Sequence, residues 1–176
     1  MKLKAFLNDY GRRVTYERGE HVFHQGDLDC FLYVIECGVL KAYYGASDGK
    51  ERVKSFLLRG DIIGSLKSIL TTDGCRFNLV CLDDCSLLKI EFDVLYKKSR
   101  DDLELSHEII DFLIEFGLKK ETREYEFLCL SPEERYLELL KKTPHLFDLV
   151  SQNEIAHYLG ITPVGLSRIK KRVQSK

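Results

Sequence analysis

The run over residues 151–172, Ser-Gln-Asn-Glu-Ile-Ala-His-Tyr-Leu-Gly-Ile-Thr-Pro-Val-Gly-Leu-Ser-Arg-Ile-Lys-Lys-Arg, leaves the chain the least choice. Ser151 suits a helix N-cap, and Glu154 three residues on completes a capping box. Ile155, Ala156 and Leu159 then supply an apolar face at helical spacing. Gly160 ends the helix where a left-handed residue costs least. Thr162 caps a second helix with Pro163 at its first position, where a missing N–H costs nothing. Leu166 and Ile169 face inward on it, leaving Arg168, Lys170, Lys171 and Arg172 outside. Two capped helices around a short turn containing Gly form the helix-turn-helix pattern, whose second helix enters the major groove of DNA. The competing reading is a plain helical hairpin with a solvated basic end. Charge weighs against it. From residue 152 onward Arg168, Lys170, Lys171, Arg172 and Lys176 stand against Glu154 alone, about +4 in a chain whose net charge is -1. The cations gather on the helix that would meet phosphates.

With 176 residues, 44% hydrophobic and 31% charged, the chain has room for one substantial domain or two small ones and an ordinary water-soluble composition. It holds no apolar run long enough for a bilayer. Its first residues lack the apolar stretch and small-residue cleavage site of a signal peptide. A cytoplasmic location with no membrane partner is therefore expected. The cysteines, Cys30, Cys37, Cys75, Cys81, Cys85 and Cys129, include no C-x-x-C pair, so they read as small hydrophobes or incidental thiols rather than a metal centre. Redox or metal sensing by Cys75, Cys81 and Cys85 is the alternative.

Residues 1–11 suit a short leading helix around Leu3, Phe6 and Leu7. Short β-rich runs follow, broken by Gly and Asp: residues 14–16, 21–24, 31–35, 39–44, 53–58, 77–82 and 86–90, with a hairpin tip at 47–50. Many short strands at close spacing indicate a sandwich or barrel, here a β-roll of about ninety residues. Helix takes over after Phe92, first over 92–98 and then over 103–128. The long stretch carries apolar residues on more than one face, and a second stripe calls for a second surface. A partner copy of the same helix is the simplest supplier, with Ile109, Phe112, Leu113 and Phe116 as the expected dimerisation residues; contact with the C-terminal helices is the alternative. Residues 118–123 are polar. Ser131-Pro132-Glu133-Glu134 is another capping box with Pro at the first helical position. Tyr136, Leu137, Leu139 and Leu140 are core candidates on that helix, and Leu146, Phe147 and Val150 are expected beneath the two terminal helices. The division is thus a roll over 1–100, a dimerisation helix and hinge over 101–130, and a helical DNA-binding part over 131–176.

The segment Val22-Phe-His-Gln-Gly-Asp-Leu-Asp-Cys-Phe-Leu-Tyr-Val-Ile-Glu-Cys-Gly38 resembles the cyclic-nucleotide-binding-domain signature, and Gly60-Asp-Ile-Ile-Gly64 looks like its second landmark. With the long helix and the terminal helix pair, the chain resembles the CRP/FNR family of bacterial transcription regulators. The resemblance implies an α+β fold: a double-stranded β-helix (jelly-roll), a long dimerisation helix and a winged-helix-like helix-turn-helix, here lacking an evident wing. It implies double-stranded DNA, a second copy of the chain, RNA polymerase and a small-molecule effector as partners.

Members that bind cAMP carry Gly-Glu after the second landmark and Arg-Ser/Thr-Ala further on, where Glu holds a ribose hydroxyl and Arg the cyclic phosphate. Here the corresponding positions read Gly64-Ser65 and Arg76-Phe77-Asn78. Ser65 is too short to replace Glu, and Phe77 puts a ring beside the phosphate position. These four, Gly64, Ser65, Arg76 and Phe77, are the candidate effector residues, with an effector other than cAMP and no cofactor identified. The iron–sulfur branch of the family uses cysteines near the N-terminus, whereas the first here is Cys30. The resemblance places Arg168 on a guanine, Pro163 and Val164 at positions limited to apolar contact, and Gln152, Asn153, Thr162, Gly165 and Ser167 on phosphates. Lys170, Lys171 and Arg172 complete the basic face.

Catalysis is the rival class. His21-x-x-His24 invites comparison with metal-binding cupins, but a strand would send rings three residues apart to opposite faces. No catalytic or metal-ligating residues are assigned. A sensor whose terminal helices contact protein rather than DNA is the remaining alternative.

Overall fold

The computed structural model describes residues 2–174 apart from Asp48, Lys50 and Thr72. Asp48 and Lys50 of the expected hairpin tip therefore lie outside the described residues, as does Lys176 of the basic tail. The chain runs α1 (Lys2–Tyr10), β1 (Arg12–Tyr16), β2 (His21–Phe23), β3 (Phe31–Cys37), β4 (Leu40–Gly45), β5 (Glu51–Leu57), β6 (Ile62–Ile63), α2 (Leu66–Leu70), β7 (Asn78–Cys81) and β8 (Cys85–Glu91), then α3 (Phe92–Asp101), α4 (Leu103–Cys129), α5 (Pro132–Lys142), α6 (Leu146–Leu149), α7 (Gln152–Leu159) and α8 (Pro163–Gln174). Every strand run expected from the sequence is present. The single turn of α2 falls in a segment with no helical period long enough to read.

The strands form two antiparallel four-stranded sheets, ordered β1-β8-β3-β6 and β2-β7-β4-β5. Period-two alternation fills the space between them. Tyr33 and Ile35 of β3, Leu40 and Ala42 of β4, Leu79 of β7 and Leu87 of β8 are all at most 1% exposed. Gly38 joins β3 to β4 at φ +92°, and a Cβ there would lie 2.5 Å from Cys85 Sγ, so the crossing needs glycine twice over.

Helix α1 closes one end of the roll. Leu3, Phe6 and Leu7 pack with Ile90, Leu95 and Leu105. The Glu108 carboxylate of α4 accepts from the first N–H groups of α1, at Lys2 (2.9 Å) and Leu3 (2.8 Å), where a helix leaves its donors unsatisfied.

With 27 residues, α4 extends about 40 Å. Its apolar residues fall on more than one face. Ile109 packs against the α1 cluster, while Phe112 and Phe116 are half-buried against the body of the chain. Of the four residues expected at a dimer seam only Leu113 is exposed (49%), as are Leu103, Ile110, Ile114, Leu118 and Tyr125. Residues 109, 112 and 116 share one face at helical spacing, residues 103, 110, 114 and 118 lie on the opposite one, and Leu113, four residues after Ile109, stands between them.

The C-terminal helices build a second core that includes the outer face of the roll. Val39, Phe56, Leu58 and Leu82 pack with Tyr136, Leu139, Leu146, Ile155, Leu159 and Leu166. Leu137 (42% exposed) and Leu140 (38%) do not join it, because Tyr136 and Leu139 already occupy the inward face of α5. Phe56 of β5 meets Tyr158 of α7 with ring centroids 5.4 Å apart. Lys41, between the inward Leu40 and Ala42, points outward beneath α7 and reaches Glu51 (2.6 Å) and Glu154 (3.2 Å) while only 5% exposed. Among the described residues no helix is long and apolar enough to cross a membrane.

Candidate nucleic-acid interface

The helix pair α7–α8 is set by local chemistry. Ser151 Oγ accepts from the Glu154 N–H at 3.2 Å. The other half of the expected capping box is absent, because the Glu154 carboxylate has gone to Lys41 instead. The box at Ser131 and Glu134 is complete in both directions. Gly160 sits at φ +70° and ends α7, with Ile161 N–H donating to Ala156 O at 3.0 Å. Thr162 Oγ1 accepts from Gly165 N–H at 3.1 Å and opens α8.

Leu166 and Ile169 anchor α8, at 1% and 4% exposed. The opposite face presents Pro163, Val164, Ser167, Arg168, Lys171 and Arg172 to the surface. Arg168 makes no hydrogen bond or ion pair among the described residues. The remaining expected contact residues have structural work. Lys170 is half-buried and donates to Gln152 Oε1 at 2.9 Å, tying α8 to α7. Thr162 and Gly165 are committed to the cap. Arg172 lies 3.3 Å from Glu133 at the start of α5, so a phosphate there must compete with a carboxylate.

The expected effector residues are not gathered around one opening. Ser65 is 1% exposed. Gly64 faces Leu32 and the Phe31 carbonyl, and a Cβ would come within 2.8 Å of each. Phe77 is 5% exposed in the roll core, edge-on to Phe23 at 5.2 Å. Arg76, its neighbour, turns the other way into solvent, with Asp73 4.0 Å away. Both residues lie in the bend just before β7.

One further sequence expectation changes. His21 and His24 stack with centroids 4.2 Å apart instead of diverging, because β2 ends at Phe23 and His24 leaves the strand's alternation. Cys75, Cys81 and Cys85 are buried, and burial raises the pKa of all three thiols, which suits unreactive core residues. Cys30, Cys37 and Cys129 are exposed. Glu51, Glu154 and His157 converge closely enough to hold a cation, but the Lys41 ammonium already lies between the two carboxylates.

A cavity of about 650 Å³ lies between β5–β6, α4 and the C-terminal helices. Its basic lining, Lys54, Lys120, Arg123 and Arg135, was missed at the level of sequence. The available signal was a lysine inside the strand Val53-Lys-Ser-Phe-Leu57 and the basic content of the polar stretch 118–123.

The cyclic nucleotide-binding domain family model matches residues 13–102. The nitrogen fixation regulation protein FixK of Bradyrhizobium diazoefficiens is 26% identical over 169 residues, covering 90% of this chain and 70% of the relative. The fumarate and nitrate reduction regulatory protein of Vibrio cholerae is 26% identical over 175 residues, covering 93% and 69%. The solved structure of FixK2 from Bradyrhizobium japonicum superposes with a TM-score of 0.80 at 17% identity, over 94% of this chain and 85% of that one. These relatives are regulators, not enzymes. A family model matched over half of the chain, across its roll, followed by a long helix and a capped, basic helix-turn-helix, makes this chain a member of the CRP/FNR family of transcription regulators.

Proposed function

We propose that the protein is a homodimeric, sequence-specific DNA-binding regulator that answers to an effector other than cAMP. The observation carrying this reading is the outer face of α8, where Val164, Ser167, Arg168 and Lys171 are exposed on a helix anchored by Leu166 and Ile169. Two copies pair along the outer stripe of α4, where Leu103, Ile110, Leu113, Ile114 and Leu118 would otherwise leave a long apolar surface in water. Each α8 enters a major groove, so the operator is a palindrome with half-sites about one helical turn apart. Residues 131–176 do the reading, and Arg168, without a hydrogen-bond or ion-pair partner among the described residues, is available to a guanine edge. Arg172 and Lys171 serve backbone phosphates, and Val164 offers only an apolar contact such as a thymine methyl. The burial of Ser65 and Phe77 supports an effector unlike cAMP, since neither residue presents a polar group to a ligand.

The test is selection of genomic DNA fragments by the purified protein at two salt concentrations. Enrichment of one palindrome is expected, and Arg168→Ala should weaken binding to it by about 1–3 kcal/mol, roughly 5- to 150-fold, without changing the melting temperature. Salt-sensitive retention with no sequence preference, or an Arg168→Ala variant that binds the palindrome normally, would sink this reading. No retention at all would favour a sensor whose terminal helices bind protein.

A further inference from the structure

The 650 Å³ cavity is not the place where the sequence pointed for an effector. None of Gly64, Ser65, Arg76 and Phe77 lines it. Its walls come from three parts of the chain far apart in sequence: β5 and the turn to β6, the middle of α4, and helices α5 and α7. It has the size and mixed lining of a small-molecule site.

Its electrostatics are one-sided. Six of its lining residues are cationic and three are carboxylates. Two of the carboxylates are already used, Asp61 by Lys119 (3.4 Å) and Glu126 by Lys142 (2.6 Å). The third, Glu115, is exposed to solvent. Four cations remain without a carboxylate partner among the described residues. Lys54 has only the Phe77 ring (3.9 Å) and Lys120 only the Phe116 ring (5.0 Å). Arg123 donates to Tyr158 O, and Arg135 donates to Leu130 O (2.7 Å) and Leu159 O (3.0 Å). Carbonyls at the ends of α4 and α7 thus hold both guanidiniums in place, yet Arg135 Nε–H stays buried with no acceptor. A buried donor without a partner costs about 1–3 kcal/mol and is rare unless a ligand or water completes it. Burial lowers the Lys54 pKa to about 7, with Lys120 adding to the effect, and burial followed by Arg123 lowers that of Lys120. Both amines are therefore held out of water with no counterion, and an anion beside them would favour their charged form.

We infer that this cavity binds an amphiphilic organic anion, its acidic group toward Lys54 and Lys120 and its apolar body against Phe56, Phe112, Phe116, Leu139 and Tyr158. The apolar walls come from the roll, from α4 and from the C-terminal helices alike. A ligand seated there touches the roll and the DNA-reading part together and changes the free energy of their contact, which is what an effector must do. The inference rests on the regulator reading and names the chemistry of its effector.

The experiment is isothermal titration of the full chain with 1-naphthoate, with the uncharged 1-naphthalenemethanol as a shape-matched control. One naphthoate per chain is expected, at least tenfold tighter than the alcohol. In the variant carrying Lys54→Met and Lys120→Met, with its fold checked by thermal melting, that preference should disappear. Equal affinity for acid and alcohol in the unmodified chain would overturn the inference with no variant needed. Absence of naphthoate binding at millimolar concentration, or an unchanged preference in the double variant, would overturn it as well. Retention of operator DNA by the unliganded chain is measured alongside. Its loss counts against the regulator reading, whereas loss of naphthoate binding alone counts only against this site.

Discussion

His21 shows how far a single side chain's behaviour depends on its neighbours. Its Nε2 lies 3.0 Å from the Tyr43 hydroxyl, its ring stacks on His24, and Lys41 and Glu51 stand nearby. Burial first, then the His24 and Lys41 charges, hold its pKa below the ordinary 6.5, against a smaller opposing pull from Glu51. The folded chain then binds fewer protons than the unfolded chain as pH falls through 6.5 toward the depressed value, so stability drops in that window. Urea unfolding at pH 7.5 and 5.5 should show this loss. In His21→Gln, which keeps a polar contact to Tyr43, the loss should be smaller; an identical loss would mean that other groups carry it. Lys41 shows the opposite balance. Its burial favours the neutral form, but Glu51 and Glu154 together outweigh it and raise its pKa. The same contact takes Glu154 from the capping box that the spacing Ser151-x-x-Glu154 announces.

At the scale of elements, caps and breakers do what their local chemistry dictates. Gly160 is needed both for its φ of +70° and because a Cβ would lie 2.7 Å from the Phe127 ring of α4. Gly160→Ala should therefore cost at least the roughly 1–2 kcal/mol of a left-handed residue, measured as a shift in the denaturant midpoint. A shift below half of that would mean that the turn relaxes without strain. The helices α1, α4, α5, α7 and α8 and seven of the strands, all but the two-residue β6, were legible because hydrophobic period and cap residues act within a few positions. Legibility failed where an element's surroundings matter. Both stripes of α4 were visible, but nothing local says which one meets the roll. Ile109, Phe112 and Phe116 turned inward, leaving Ile110, Leu113 and Ile114 outside.

The whole molecule joins the roll and the C-terminal helices through one shared core, with Phe56 against Tyr158 and Lys41 against Glu154. Its outer α4 stripe remains uncovered in a single chain. In sedimentation experiments the unmodified protein should run as a dimer, and Ile110→Glu with Ile114→Glu should run as a folded monomer, since charges facing charges across an apolar seam are strongly disfavoured. A double variant that stays dimeric would place the interface elsewhere. The monomer should also lose most operator affinity, because a palindrome rewards two linked reading helices.

By itself the sequence determined the elements, their order and the basic face of α8, because alternation, helical period, capping residues and left-handed glycines are short-range preferences. Only the tertiary structure decided where Lys54, Lys120, Arg123 and Arg135 stand relative to one another, that His21 and His24 stack, and that Glu154 serves Lys41, 113 residues away. Burial and partnership arise between segments distant in sequence, and the energy of a buried charge depends on what the fold places around it.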